Sequence, residues 1–198
     1  MRARHVTRHA AAATAAALAL TALTALAAPT AGAAGAAGSP SAASPAALAR
    51  CGENDVTVRA QPSEDNADIL RLSVRNDSSK ACLVDRVPTV TYGELDGAAL
   101  PLPLVPHAGR TLAAHDTAYA AVLSVSDAED AKDEAPAVMY VTVAAVPDHE
   151  GRSFQALTLG SPTGVRVWEP VTTLWQSSAS QARQVLMEET TGRGTLAV

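Results

Sequence analysis

The stretch that decides the fold is RLSVRNDSSKACLVDRVPTVTY, residues 71–92, where apolar and polar side chains alternate on both sides of a polar turn. Just before and within it, Leu70, Leu72 and Val74 alternate with polar residues. An alternation with period two is typical of a β-strand that buries one of its faces. The stretch therefore predicts strands joined by the turn segment NDSS, with a cysteine at the start of the second run.

The same alternation continues outward from this stretch in both directions. Val56 and Val58 alternate with Thr57 and Arg59 in the preceding segment. Later runs rich in Val, Thr and aromatic residues are DTAYAAVLSV, AVMYVTVAAV, SFQALTLG and VRVWEPVTTLW, with turn-forming segments between them. About eight or nine short strands with this spacing predict an all-β fold, an antiparallel sandwich of the immunoglobulin-like type, with a barrel as the alternative.

One dipeptide predicts a specific connection between two of these strands. Asp96-Gly97 lies between the extended runs TVTY and ALPLPL. An Asp-Gly pair between apolar runs is a strong short-range indication of a β-hairpin. We therefore expect the two flanking runs to pair with each other.

The first 33 residues are typical of a secretory signal peptide. Three arginines precede a mostly alanine run over residues 10–28, and small residues follow. The sequence AGA at 31–33 fits a cleavage site, and ALA at 25–27 is a second candidate. A membrane span is the competing interpretation, but only four leucines lie in the run, and alanine contributes little to insertion. We expect cleavage and a secreted, extracellular chain.

Composition divides the remaining chain into three parts. Residues 34–50 are almost entirely Ala, Gly, Ser and Pro, which predicts a disordered linker because such a segment buries too little apolar area. The folded domain is expected over residues 51–175. Residues 176–198 are expected to form a loosely attached tail, in which SASQARQVLMEET can form a short helix capped by Ser178 or Ser180. The alternative is that this helix docks on the sheet.

Charge excludes one broad class of partner. Without residues 1–33, the chain has 12 basic and 20 acidic residues, a net charge of −8, and no basic cluster in sequence. An acidic chain of this kind is not expected to bind nucleic acid, and no membrane contact is expected after cleavage. The acidic segment SDAEDAKDEA, residues 126–135, lacks the central glycine of a calcium loop, which favours a solvated loop over a metal site.

Cys51 and Cys82 are the only two cysteines, so they allow a single intramolecular pairing. Paired cysteines persist in oxidising compartments, where an exported chain is expected to fold. Free thiols are one alternative, and a metal or redox pair is another. The second is disfavoured because C-x-x-C and further ligand cysteines are absent. We therefore predict a structural disulfide between Cys51 and Cys82.

These residues together resemble a known family. Cys51 followed by DVTV, then LRLSVRNDSSKACLV and VPTVTY, is similar to the domain of unknown function 4232 family, found in exported proteins of high-GC Gram-positive bacteria. The resemblance covers about residues 51–175. TLAAHDTAYAAVLSV, residues 111–125, matches a later strand of the family, while the second cysteine pair that many members carry is missing. The resemblance implies an exported β-sandwich and implies no activity.

No catalytic or metal-binding motif stands out in the sequence. G-x-S-x-G, H-E-x-x-H, phosphate-binding loops and zinc spacings are absent, so we predict no catalytic residues, no metal and no cofactor. His107, His115 and His149 are expected to be solvated loop residues, with Asp116 adjacent to His115. Asn76 begins an N-x-S glycosylation triplet, but a strand end followed by an Asx turn is the simpler interpretation.

Two functions from different classes remain open on the sequence alone. The first is a non-catalytic extracellular module that binds a protein, a glycan or a small ligand. The alternative is a secreted hydrolase or hydrolase inhibitor, for which His115 and Asp116 are the residues to change. We expect the binding module, because no set of residues in the sequence matches a catalytic motif.

Overall fold

The computed structural model describes residues 48–104, 108–126, 129–131 and 134–191. The expected signal peptide, residues 1–33, and nearly all of the expected linker lie outside these ranges. The described strands are β1 (Val56–Pro62), β2 (Ile69–Asn76), β3 (Cys82–Val84), β4 (Thr89–Tyr92), β5 (Leu100–Leu102), β6 (Arg110–Leu112), β7 (Thr117–Leu123), β8 (Ala137–Val138), β9 (Tyr140–Ala144), β10 (Arg152–Gln155), β11 (Val165–Arg166) and β12 (Val171–Thr173). Short 3₁₀ helices span Glu53–Asp55 and Ala156–Leu159, and one α-helix, α1, spans Ala179–Thr191.

The strands form the predicted all-β sandwich. One layer is a five-stranded sheet in the order β1-β2-β7-β12-β5, and the other contains the three-stranded sheet β10-β9-β4. Two-stranded pairs, β3 with β6 and β8 with β11, complete the structure. All pairings between named strands are antiparallel except that of β12 with β5, which is parallel.

Strands are more numerous than expected because two predicted runs are interrupted. AVMYVTVAAV divides at Met139 into β8 and β9, and VRVWEPVTTLW divides into β11 and β12. SFQALTLG begins as β10, but its second half forms a 3₁₀ helix.

The two layers bury one large apolar cluster between them, which we call the inner cluster. The five-stranded sheet contributes alternate residues of β2 and β7, such as Leu72, Val74 and Val122. The opposite layer contributes Val90 and Val141 among others. The period-two pattern of the sequence thus marks the faces that meet here.

The Asp96-Gly97 prediction of a hairpin is wrong. Gly97 does occupy a turn, with φ of +93°, but β4 and β5 belong to different sheets. The turn carries the chain from one layer to the other, and one backbone bond, from the Ala99 amide to the Val90 carbonyl (2.9 Å), closes it. Pro101 explains part of this, because a proline lacks the N–H that a central strand needs, and β5 lies at a sheet edge.

The C-terminal segment is not a loose tail over its described residues, 176–191, and residues 192–198 lie outside the described ranges. It forms α1, whose first turn is capped by the Ser178 hydroxyl, accepting a hydrogen bond from the Gln181 amide (3.2 Å). Ala182 and Leu186, four residues apart, lie on one side of the helix and are buried. They pack on the outer face of the five-stranded sheet, the face turned away from the inner cluster. The set Ile69, Leu102, Ala121, Val171, Ala182 and Leu186 is called the outer cluster.

The domain also begins slightly earlier than predicted. The Leu83 amide donates to the Ala49 carbonyl, and the Cys51 amide donates to the Leu83 carbonyl, both at 2.9 Å. Ala49 and Arg50 therefore belong to the folded part rather than to the linker. Among the described residues, no helix is long and apolar enough to span a membrane.

Candidate binding cleft

The outer face of the five-stranded sheet is only partly covered by α1. The helix contacts β2, β7 and β12, while Arg59 and Gln61 of β1 and Arg75 of β2 are exposed. Strand register places Arg59 opposite Ser73, and Gln61 opposite Arg71. Polar and cationic side chains therefore line the uncovered part of the face.

A cleft follows the boundary between the covered and uncovered parts. It consists of two adjoining cavities of about 270 Å³ and 80 Å³ that share Arg71 and Ala179 in their walls. The residues that line the cleft are Arg59, Gln61, Ser63, Glu64, Asp65, Arg71, Leu72, Ser73, Tyr119, Ala179, Ser180 and Arg183. The first turns of α1 form one wall, while β1, β2 and the loop between them form the other.

Charged groups in the cleft differ in how well they are paired. Arg183 of α1 forms an ion pair with Asp65 of the β1–β2 loop, which ties the helix to the hairpin. Arg71 NH2 lies 3.7 Å from the Glu64 carboxylate, which is beyond hydrogen-bond distance. The Nε atom of Arg71 is buried and has no hydrogen-bond partner. Three arginines and two acids thus give the cleft an excess of positive charge, although the chain as a whole is acidic.

Two other depressions lie on the described surface. One, of about 320 Å³, is lined by residues including Leu95, Met139 and Tyr140. The Tyr140 hydroxyl donates to the Glu94 carboxylate (2.6 Å), and this hydrogen bond raises the pKa of Tyr140. The other, of about 210 Å³, is lined by residues including Leu100 and Val171. Neither gathers several charged groups, so the cleft is the stronger candidate for a specific ligand.

The disulfide lies away from the cleft, inside the molecule. Cys51 and Cys82 are joined across 31 residues of sequence, as predicted, and both are buried in the inner cluster. The backbone bonds of Leu83 described above flank the same link. The disulfide therefore fastens the start of the domain to β3, with a structural role.

The Asn76 triplet is a structural motif, as its simpler interpretation predicts. The Asn76 side chain is fully buried, and its amide group donates to the carbonyl oxygens of Lys80, Leu112 and Ala113. Its Oδ1 accepts from both the amide and the hydroxyl of Ser78, which closes an Asx turn. The amide nitrogen that glycosylation would modify is thus engaged inside the folded domain.

Comparison with protein families identifies the family of the folded domain. The sequence pattern of a family described as "Domain of unknown function (DUF4232)" matches residues 51–176. The chain belongs to this family. No curated protein and no solved structure matches the chain.

The DUF4232 match covers only one wall of the cleft. The match ends at residue 176, before α1 begins at Ala179. The wall formed by β1 and β2 is thus part of the DUF4232 domain, whereas Ala179, Ser180 and Arg183 lie outside the match. The cleft combines the family's sheet with a helix that follows it.

The other residues singled out in the sequence do not lie in the cleft lining. His115 is exposed in a turn with φ of +63°, and the Asp116 carboxylate accepts a hydrogen bond from the Thr117 amide (2.8 Å). His149 lies in the loop between β9 and β10, as expected for the DHE segment. His107 lies outside the described residues. Within the described ranges, no group of three or more His, Cys, Asp or Glu residues could hold a metal.

The acidic segment is only partly described, because residues 127–128 and 132–133 fall in the gaps. Ala131 is buried, and its carbonyl oxygen accepts a hydrogen bond from Arg166 NH2 (3.0 Å). The segment is thus attached to β11 by its backbone, which the solvated-loop prediction did not anticipate.

Sequence reasoning missed the cleft, although one of its signals is visible. Arg59, Arg71 and Arg75 all occupy the polar phase of period-two strands, so they share the outer face. The sequence does not show which part of that face the helix leaves open. The cleft therefore required the docking position of α1, which local patterns do not specify.

Proposed function

We propose that the chain is an exported, non-catalytic binding module and that the cleft between α1 and the β1–β2 hairpin is its binding site. The observation that carries this proposal is the convergence of charged and hydrogen-bonding side chains from two different elements on one concave surface. Binding sites commonly combine a cavity with a few such convergent polar groups.

Two features support export. The N-terminal sequence is typical of a signal peptide. The Cys51–Cys82 disulfide suits an oxidising compartment. We propose on these grounds that the module acts outside the cell, on a ligand it meets there.

The test of the cleft is to fill it. Ala179 lines both cavities, so Ala179→Trp is expected to occupy them with an indole ring. Gln184→Trp adds the same side chain at an exposed position of α1 and serves as the matched control. Thermal denaturation is measured with a panel of sugars, amino acids, organic acids and nucleotides.

We expect at least one compound to raise the melting temperature of the wild type and of Gln184→Trp, but not of Ala179→Trp. His115→Ala should leave this response unchanged, since His115 is not part of the cleft lining. A panel without any such compound, or one that stabilises Ala179→Trp equally, would contradict the proposed function.

A further inference from the structure

We propose that the cleft recognises an oxyanion, a carboxylate or phosphate group of a small ligand, through the guanidinium groups of Arg59 and Arg71. This inference rests on the proposed function and names the chemistry of the ligand. It comes from the unequal pairing of the arginines on the outer face.

Arg71 is the first of the two groups that call for an anion. Its Nε is buried without a hydrogen-bond partner, and a buried donor left unpaired is unfavourable. The Arg71 side chain as a whole is 40% exposed, so a ligand can reach the guanidinium group from solvent. Its closest acid, Glu64, is too far for a hydrogen bond, and the side chain of Glu64 is 84% exposed. Such an exposed pair contributes little, so Glu64 does not replace a ligand for Arg71.

Arg59 is the second group. Its guanidinium group has no hydrogen-bond or ion-pair partner anywhere in the described ranges. Because Arg59 faces Ser73 while Gln61 faces Arg71, the two arginines are diagonal neighbours on the same face of adjacent strands. Diagonal neighbours are about 7–8 Å apart, within reach of long side chains. Two like charges in this arrangement disfavour each other unless an anion lies between them.

The remaining arginines nearby differ in this respect. Arg75 lies on the same face of β2, but its Nε is 3.4 Å from the Asp77 carboxylate. Arg183 is paired with Asp65. Of the three arginines that line the cleft, Arg183 thus donates a hydrogen bond to a carboxylate, whereas Arg59 and Arg71 do not.

The groups around these two arginines suit an oxyanion. A guanidinium group presents parallel N–H donors that match carboxylate and phosphate oxygens. Ser73 and Tyr119 are paired in register on β2 and β7, and both line the smaller cavity. Their hydroxyl groups have no hydrogen-bond partner in the part of the chain that the structure describes, and so can donate to the same anion.

The experiment is a titration followed by NMR of ¹⁵N-labelled arginine side chains, at constant ionic strength. Inorganic phosphate and succinate are the two probes, and glucose is the uncharged control. We expect saturable shifts of the Nε–H signals of Arg71 and Arg59 with at least one anion and none with glucose. A response to phosphate alone would assign phosphate ligands, and a response to succinate alone would assign carboxylates.

Arginine variants distinguish anion binding at the cleft from nonspecific attraction to the positive charge of the outer face. Arg71→Gln is expected to raise the dissociation constant of the effective probe by about tenfold or more, the usual effect of losing charge-assisted hydrogen bonds. Arg59→Gln, at an exposed position that does not endanger folding, should also weaken binding severalfold. Arg75→Gln removes the same charge from the same face outside the cleft, and should change the dissociation constant by less than about twofold.

The inference is overturned if neither anion gives a saturable shift, or if Arg75→Gln weakens binding as much as Arg71→Gln and Arg59→Gln. A neutral compound that stabilises the wild type but not Ala179→Trp would leave the proposed function intact and remove this inference alone.

Discussion

The two faces of the five-stranded sheet are buried in different ways. The inner face packs against the opposite layer mainly through β1, β2 and β7, whose alternate residues are mostly apolar. The outer face is covered on one side by α1 through six buried residues. On the other side it displays arginines and the cleft.

The difference shows where a β-sandwich can acquire a binding site. A face that is fully covered can only contribute stability, and a face that is fully exposed offers no concave surface. When a helix covers only part of a sheet face, the side of the helix forms one wall of a groove along the uncovered part of the sheet. Here the edge of α1 lies beside Arg71, so the boundary of the outer cluster is also the boundary of the cleft.

The largest change in stability is expected from a substitution on the inner face. Replacing both Cys51 and Cys82 by alanine should lower the free energy of unfolding by about 3–4 kcal/mol, since the link closes a loop that is costly to order. Urea denaturation of the wild type and the double variant measures the difference. The wild type in reductant should reproduce the effect, and a loss below about 1 kcal/mol would show that the inner cluster does not depend on the link.

Asn76 provides the next test, because it is a buried polar residue on the mostly apolar inner face. Asn76→Asp replaces an amide donor by a carboxylate that faces the carbonyl oxygens of Leu112 and Ala113. We expect a loss of about 3 kcal/mol at neutral pH, because buried acceptors lose their donor and a charge is buried among them.

Asn54→Asp, in the exposed 3₁₀ helix Glu53–Asp55, is the control for this substitution and should be nearly neutral. Equal urea midpoints for the two variants would mean that the Asn76 hydrogen bonds contribute nothing specific.

Sequence patterns predict the inner face well and the outer face poorly, for a physical reason. The burial of Leu72, Val74 and Val122 is predictable because the inner phase of β2 and β7 is almost entirely apolar. On the outer phase, Ala121 and Thr173 are small or polar residues that are compatible with either exposure or a helix above them. Their burial depends on Leu186, more than sixty residues from Ala121 in sequence, and no local pattern connects the two.

The candidate site could be predicted only in part for the same reason. The shared face of Arg59 and Arg71 follows from the alternation, and the Ser178 cap follows from the residue type. The proximity of Arg71 to Ala179 could not be predicted, because it depends on how α1 packs against the sheet. At Asp96-Gly97 the sequence correctly predicts the turn but not the strand pairing. The flanking strands, β4 and β5, pair with other strands in different sheets, and these pairings are tertiary contacts.

The outer cluster can be tested directly on α1. Leu186→Ala should cost about 2–3 kcal/mol of unfolding free energy, as for a buried leucine whose cavity can partly collapse. Met187, the next residue, is 42% exposed, so Met187→Ala should cost less than about 0.5 kcal/mol. Urea denaturation and hydrogen exchange of the α1 amides report both values. If the two substitutions cost the same, α1 is not docked as the outer cluster requires.

The smallest expected effect is a gain in stability on the inner face. The Tyr92 hydroxyl is buried in the inner cluster and has no hydrogen-bond partner. Tyr92→Phe removes this unpaired group and keeps the ring, so we expect the free energy of unfolding at pH 7 to rise by about 1 kcal/mol. A loss of stability would show that the hydroxyl has a partner, such as a bridging water, that the inner cluster needs.

The same tyrosine gives a pH dependence of known sign. Burial raises the pKa of Tyr92 above its ordinary value, so the folded chain holds the phenolic proton more tightly than the unfolded chain does. The resulting stability is complete below the unfolded pKa of about 10 and is lost as the pH rises above it, by about 1.4 kcal/mol per pH unit. Urea denaturation between pH 8 and pH 11, values chosen to bracket a pKa of about 10, should show a shallower decline for Tyr92→Phe than for the wild type. Because this slope arises on the inner face, Arg71→Gln on the outer face should leave it unchanged.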